Sequence, residues 1–454
     1  MYNKFSVVVS SVTSYIILSY LIIGLTRTPV LAEPIFFAGS DTVGNVLLPK
    51  LLEAYNRQAA SKIEYLRINP QGTKNGWCAY EQQTTEHIDV IMASSIVTVD
   101  DLLPCNGQLK ADELHTPEIE HLIALDGVVI IVHKDNPVPI LAMDEIKEIF
   151  CSDKPLSWKN FNWVDEPIEV VALDEGSGTT ATIRQVVCEG KHLPAAATSS
   201  FTHHDQIVDY LKAPGHNYAI GFTSLGALNN SNDIKNIKIK DCGRVYEPDR
   251  YTVKTEDYPL SRRLLLYTPK PEINAKLKPF FDFVLGEKGQ NIVNDTKYLD
   301  LSVEEVDSKS SSDLARNKII QEGSYIAENE IKTFREFTNN AKRLSIVFRF
   351  KKKSAILDIR GETDILRIKE YIKKRKRGDV LLLLGFADSE GGYYASLNKA
   401  SERAEVVQDK LKEIAEKQGV IIETKSIGPE LPVACNQREI DRERNRRVEV
   451  WLKH

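Results

Sequence analysis

Gly39-Ser40-Asp41-Thr42-Val43-Gly44 is the stretch on which the reading turns. It joins an apolar strand pattern, Ile35–Ala38, to a helical one, Asn45–Tyr55. Small residues there let main-chain N–H groups approach a ligand at a helix N-terminus, where the dipole favours negative charge. Two further stretches repeat the design. Gly72-Thr73-Lys74-Asn75-Gly76 follows the strand pattern Ile63–Ile68, and Glu175-Gly176-Ser177-Gly178-Thr179-Thr180 links Ile168–Leu173 to the helical Thr180–Cys188. Hydroxyls of Ser40, Thr42, Thr73, Ser177 and Thr179 add donors. One such turn is usually only a helix cap; three in one domain predict an anion site.

Outward from these turns the rhythm is α/β. Strand patterns Ile88–Ala93, Val128–Val132 and Leu264–Thr268 alternate with helical Met143–Phe150, Gln206–Leu211 and Lys278–Asn294, up to about Leu301. Residues 302–343 turn polar, with the run Ser308-Lys309-Ser310-Ser311-Ser312, and read as a linker whose later part, Asp313–Phe337, suits a partly helical spacer. A second pattern starts at Leu344. Strands Leu344–Phe350, Val380–Gly385, Ile421–Ile427 and Val448–Leu452 are separated by helices Glu362–Arg377 and Ser401–Gln418. The first stretch, 33–301, amounts to one to two domains, and a small α+β domain, 344–454, follows the linker. There is no internal repeat.

The chain opens with Lys4 before an apolar run, Phe5–Leu25, and with Val30-Leu31-Ala32 after it. This is the pattern of a secretory signal over residues 1–32, although the run is also long enough for a retained membrane anchor. Export is expected either way. With 454 residues, 42% hydrophobic and 27% charged, the composition is globular, and a formal charge of −5 excludes a broadly basic nucleic-acid protein. The basic run Lys373–Arg377 suits a helix C-terminus. An exported chain permits disulfides among Cys78, Cys105, Cys151, Cys188, Cys242 and Cys435. Cys78–Cys105 and Cys151–Cys188 are favoured because they close moderate loops, with buried free thiols as the alternative. No CxxC or Cys/His cluster calls for a metal, and no cofactor is expected.

Taken in order, Gly39–Val43, Gly72-Thr73, Asp89–Ser95, Ile149-Phe150 with Trp158, Gly176–Thr179, Ala219–Phe222 and Phe283–Leu285 with Gly289-Gln290 resemble the phosphate-type periplasmic solute-binding proteins. The resemblance implies two α/β lobes closing on phosphate or a similar oxyanion, delivery to an ABC-type permease, and ligand contacts at Thr42, Val43, Thr73, Ser95, Ser177, Gly178 and Thr179. Two charges of the family pattern are absent. Leu173 stands where an Arg is usual, and Ser95 where Asp or Arg is usual. The first loss removes a bidentate partner and the second an acceptor for the proton of the anion. Lys74 and Arg184 are the nearby candidates to compensate.

Asp388 in the turn Gly385–Gly392 and Arg403 in Ser401-Glu402-Arg403-Ala404 read alone as an ordinary salt bridge. Together with Leu344–Phe350 and Arg444–Val450 they resemble the OmpA-like peptidoglycan-binding domain. In that family the matching Asp and Arg hold the diaminopimelate of the peptide stem. Phe386-Ala387, Ser396 and Lys399-Ala400 depart from the family pattern around them. The sequence thus predicts a periplasmic, wall-associated, non-enzymatic oxyanion receptor. Its alternative is a structural wall protein whose lobes no longer bind. No HExxH, GxSxG or clustered acid/base pair supports catalysis.

Overall fold

The strand Glu120–His133 organises the first half of the molecule. Its first part pairs antiparallel with Ser261–Tyr267, and its second part, Val128–Val132, pairs with Ala219–Ser224. It therefore belongs to two half-sheets at once. On one side lie Tyr65–Pro70, Ile35–Gly39, Val90–Ala93 and Ser261–Tyr267; on the other, Ala219–Ser224, Glu169–Leu173 and Ser199–Phe201. Parallel pairs within each half are covered by helices, as such sheets require. The result is an α/β fold with a curled mixed sheet, nine strands among the described residues.

The computed structural model describes residues 34–82, 87–105, 109–191, 193, 199–228, 232–307 and 327–454, so the signal pattern and the Ser308–Ser312 run lie outside them. Among the described residues no helix is long and apolar enough to cross a membrane. Residues 34–454 form one unit.

Several elements differ from their sequence patterns. The strand read as Val128–Val132 runs back to Glu120 because the buried Asp126, which breaks the apolar pattern, is neutralised inside the sheet by Arg262. The single helix read over Lys278–Asn294 is two, Pro271–Leu285 and Glu287–Asp295, broken at Gly286. The second turn runs straight into a helix, Thr73–Glu81. The disulfides Cys78–Cys105 and Cys151–Cys188 are both formed.

The C-terminal sheet has the order Glu305–Asp307, Lys342–Arg349, Arg447–Lys453, Val380–Phe386, Ile421–Gly428. Helices Ile359–Ile372 and Tyr393–Gln418 pack apolar side chains such as Ile368, Val407 and Leu411 on one face. Ile331 and Phe334, from the helix Ala327–Thr338, meet Leu384 and Trp451 on the other. The stretch read as linker therefore supplies an edge strand and a covering helix. The first long helix ends at Ile372, so the basic run Lys373–Arg377 follows it rather than ending it, and the second begins at Tyr393, not Ser401.

This module is tightly docked. Buried arginines reach from it into the segment 254–263 before and at the start of the strand Ser261–Tyr267. Arg343 Nη1 donates to Asp257 Oδ2 at 2.7 Å, Arg349 Nη2 to the Thr255 carbonyl at 3.1 Å and Arg360 Nη2 to the Lys254 carbonyl at 2.9 Å. Arg263 answers in the other direction, donating to Asp358 Oδ2 at 3.3 Å. A third disulfide, Cys242–Cys435, ties the module to the second lobe, where Tyr246 Oη also donates to the Val433 carbonyl and Arg438 Nη1 to that of Val186.

Candidate functional site

The three glycine-bearing turns meet at the cleft between the half-sheets. Gly72, at φ +93°, lies so close to the third turn that an added Cβ would be 2.2 Å from the Gly176 carbonyl oxygen. A Cβ on Gly178 would fall 2.0 Å from Ser94 Oγ and 3.0 Å from Thr73 Oγ1. Only glycine permits that approach. Thr73 Oγ1 in turn accepts from the Ser94 amide at 3.2 Å.

Between the first and third turns stands Arg262, at the start of the strand Ser261–Tyr267. Its Nη1 donates to Thr179 Oγ1 at 2.7 Å and its Nη2 reaches Thr42 Oγ1 at 3.4 Å. Nε and Nη2 both donate to Asp126 Oδ2, at 2.9 and 2.7 Å, and both residues are almost fully buried. Asp126 also accepts from Ser224 Oγ at 2.8 Å. Arginine suits this place because its planar fork can bind a carboxylate on one edge and an oxyanion on another.

His204 closes the group from the second lobe. Its Nδ1 lies 2.9 Å from Thr223 Oγ1, and its Nε2 lies 3.2 Å from Thr42 Oγ1 and 3.5 Å from Thr179 Oγ1. Asp41 Oδ2 is 3.9 Å from the same Nε2. This buried carboxylate is met only by the neighbouring main-chain amides of Asp41 and Thr42, and Ser94 Oγ and Ser95 Oγ lack a hydrogen-bond partner among the described residues. Burial raises the Asp41 carboxyl above its usual range, although Arg262 works against the rise. Such orphaned buried groups point to a polar guest.

Burial, with help from the charges of Arg262 and His203, lowers His204 from 6.5 to about 3. The unfolded chain takes a proton near pH 6.5 that the folded chain refuses, so this contribution to stability is complete above 6.5 and is lost as pH falls toward about 3. His121, lowered to about 4 by burial, slopes the same way. We expect the loss of stability between pH 7 and pH 5, measured by urea titration, to be smaller in His204→Asn than in wild type by about 2 kcal/mol.

Of the residues singled out in the sequence, Thr42, Thr73, Gly178 and Thr179 converge here. Ser177 Oγ is taken up in capping, accepting from the Thr179 amide at 3.2 Å, and the Val43 amide donates to Ser40 Oγ at 3.4 Å. Ser95 lies at the edge of the group, facing a neighbouring cavity. Arg184 does not compensate for Leu173, being turned to Asp101 and Glu175 at 3.7 Å each. The site's arginine is Arg262, which sequence reasoning missed together with Asp126, His204 and the carboxylate role of Asp41. Only Asp41, inside the first turn, carried a local signal.

In the module, Asp388 follows the strand Val380–Phe386 and pairs with Arg446 at 3.0 Å. Arg403 donates instead to the carbonyls of Ser354 and Phe386, at 3.1 and 3.4 Å. Burial lowers its guanidinium to about 10, opposed by the charge of nearby Asp388.

The phosphate-binding protein PstS of Staphylococcus saprophyticus is 27% identical over 260 residues, covering 56% of this chain and 76% of that protein. The protein of the same name from Staphylococcus epidermidis is 32% identical over 184 residues, 38% of this chain and 53% of that one. The chain thus spans about three quarters of the first relative and about half of the second. Among solved structures, an ABC-type phosphate transport receptor from Vibrio cholerae is 20% identical with a TM-score of 0.47, over 58% of this chain and 99% of that one. The model of the PBP superfamily domain matches residues 26–288, more than half of the chain, and the chain belongs to that family.

Proposed function

We propose that the chain captures phosphate or a related tetrahedral oxyanion in this cleft and presents it to an ABC-type permease. One observation carries the reading: the Arg262 guanidinium lies between the hydroxyls of Thr42 and Thr179, one from each side of the cleft. A cation flanked by hydroxyls and backed by orphaned buried oxygens suits a partly protonated anion, which can accept from Arg262 and donate to Asp41. The names of the staphylococcal relatives agree. Calorimetric titration of the full-length protein with phosphate and sulfate tests it. Phosphate should bind, and Thr42→Ala or Thr179→Ala should weaken it by about tenfold, the worth of one hydrogen bond to a charged group. Absence of heat with either ion would leave the structural wall-protein reading.

The same proposal places the exported protein at the cell wall, with Asp388 and Arg403 holding the diaminopimelate of peptidoglycan. Support lies in their proximity at the strand end, where the charge of Asp388 acts on the Arg403 guanidinium. The wild-type protein should sediment with isolated peptidoglycan and Asp388→Ala should stay in solution; equal sedimentation of the two removes Asp388 from the anchor.

A further inference from the structure

A cavity of about 180 Å³ lies beside the oxyanion group, between the cleft and the C-terminal module. Ser95, Thr182 and Arg262 wall it on the receptor side, and Arg349, Ile440 and Arg444 on the module side. Its receptor wall is continuous with the anion site. Arg262 belongs to both, Ser95 follows Ser94, and Thr182 Oγ1 donates to the Gly178 carbonyl at 2.9 Å. The space is many times what one water needs.

The wall is rich in guanidinium groups, with Arg262, Arg263, Arg349 and Arg444 beside the acids Glu256, Asp358 and Glu443. Arg262 is balanced by Asp126, and Arg263 by Glu256 and Asp358. Arg349 and Arg444, by contrast, direct their hydrogen bonds to main-chain carbonyls, those of Thr255, Glu256 and Arg444 for the first and of Asp257 and Val433 for the second. Glu443, the remaining acid of the lining, is exposed to solvent. Ser95 Oγ and Arg444 Nε, in two of the lining residues, have no hydrogen-bond partner among the described residues. Tyr258, Pro259 and Ile440 give the same cavity an apolar flank. Cationic and hydroxyl groups beside apolar surface fit a short polar organic group on an anion better than they fit empty solvent.

We infer that the ligand site continues into this cavity, and that the protein accepts a phosphate monoester, its phosphate in the cleft and its organic group under the module. The inference rests on the oxyanion reading of the cleft and deepens it. It also makes the C-terminal module part of the receptor, since Ile440 and Arg444 would touch the ligand.

The test is calorimetric titration of the full-length protein with inorganic phosphate and with glycerol 3-phosphate, on wild type and on Ile440→Trp, whose larger ring fills the cavity. Wild type should bind the ester at least as tightly as phosphate. Ile440→Trp should weaken the ester by at least about tenfold and leave phosphate within about twofold, the scale on which an apolar pocket discriminates. Val186→Phe, from the receptor wall, repeats the test should Ile440→Trp fail to fold by circular dichroism. Binding of phosphate with rejection of the ester by wild type would overturn the inference and leave the cleft reading intact; unchanged ester affinity in the filled variants would do the same. Binding of neither ligand to wild type would overturn the cleft reading itself.

Discussion

Arg262→Ala is expected to abolish measurable phosphate binding, a loss of at least about a hundredfold, and to cost about 3–5 kcal/mol of folding stability. Two causes act together. The anion loses the one guanidinium that joins both sides of the cleft, and Asp126, 1% exposed, loses its counter-cation and keeps the Ser224 hydroxyl and the Gly226 amide. Arg262→Met combined with Asp126→Asn separates the two causes. Removing both charges should restore much of the stability, because a buried pair replaced by neutral groups is often well tolerated, and binding should remain lost. Calorimetry and urea titration read the two quantities independently. An alanine variant that binds phosphate within about threefold of wild type would remove Arg262 from the site.

An effect on stability at least as large is expected from Cys242→Ser with Cys435→Ser. The bond closes a loop of 193 residues, and the chain-entropy relation for a loop of that length gives about 5 kcal/mol. Urea titration of the double variant should show a midpoint lowered accordingly. A reducing agent should move the wild-type midpoint further than that of the variant, which retains the two shorter bridges Cys78–Cys105 and Cys151–Cys188. A midpoint equal to wild type would mean that the buried arginine contacts alone hold the module in place.

What the sequence made legible was local. The Gly/Ser/Thr turns announce themselves because small residues, hydroxyls and a following helix all fall within a few positions. Their convergence was implied by a family resemblance rather than by any one of them. Arg262 was illegible for the opposite reason. Ser261-Arg262-Arg263 falls just outside the apolar strand pattern Leu264–Thr268, and the aspartate that keeps Arg262 buried lies 136 positions away. Asp126 in turn disguised half of the strand Glu120–His133. Arg343, Arg349 and Arg360 are of the same kind. Each has the composition of a solvated surface and is buried because carbonyls of residues 254–256 or the Asp257 carboxylate receive it. Sequence patterns assign charge to solvent by default, and tertiary partners overrule them.

The cross-link between Cys242 and Cys435 also makes a covalent ring of everything between them. A protease that nicks the backbone once within residues 243–434 would leave two pieces that still travel as one molecule without reductant and part only when the sulfurs are reduced. Module and receptor would therefore share one fate even after a cut, without depending on an intact peptide connection.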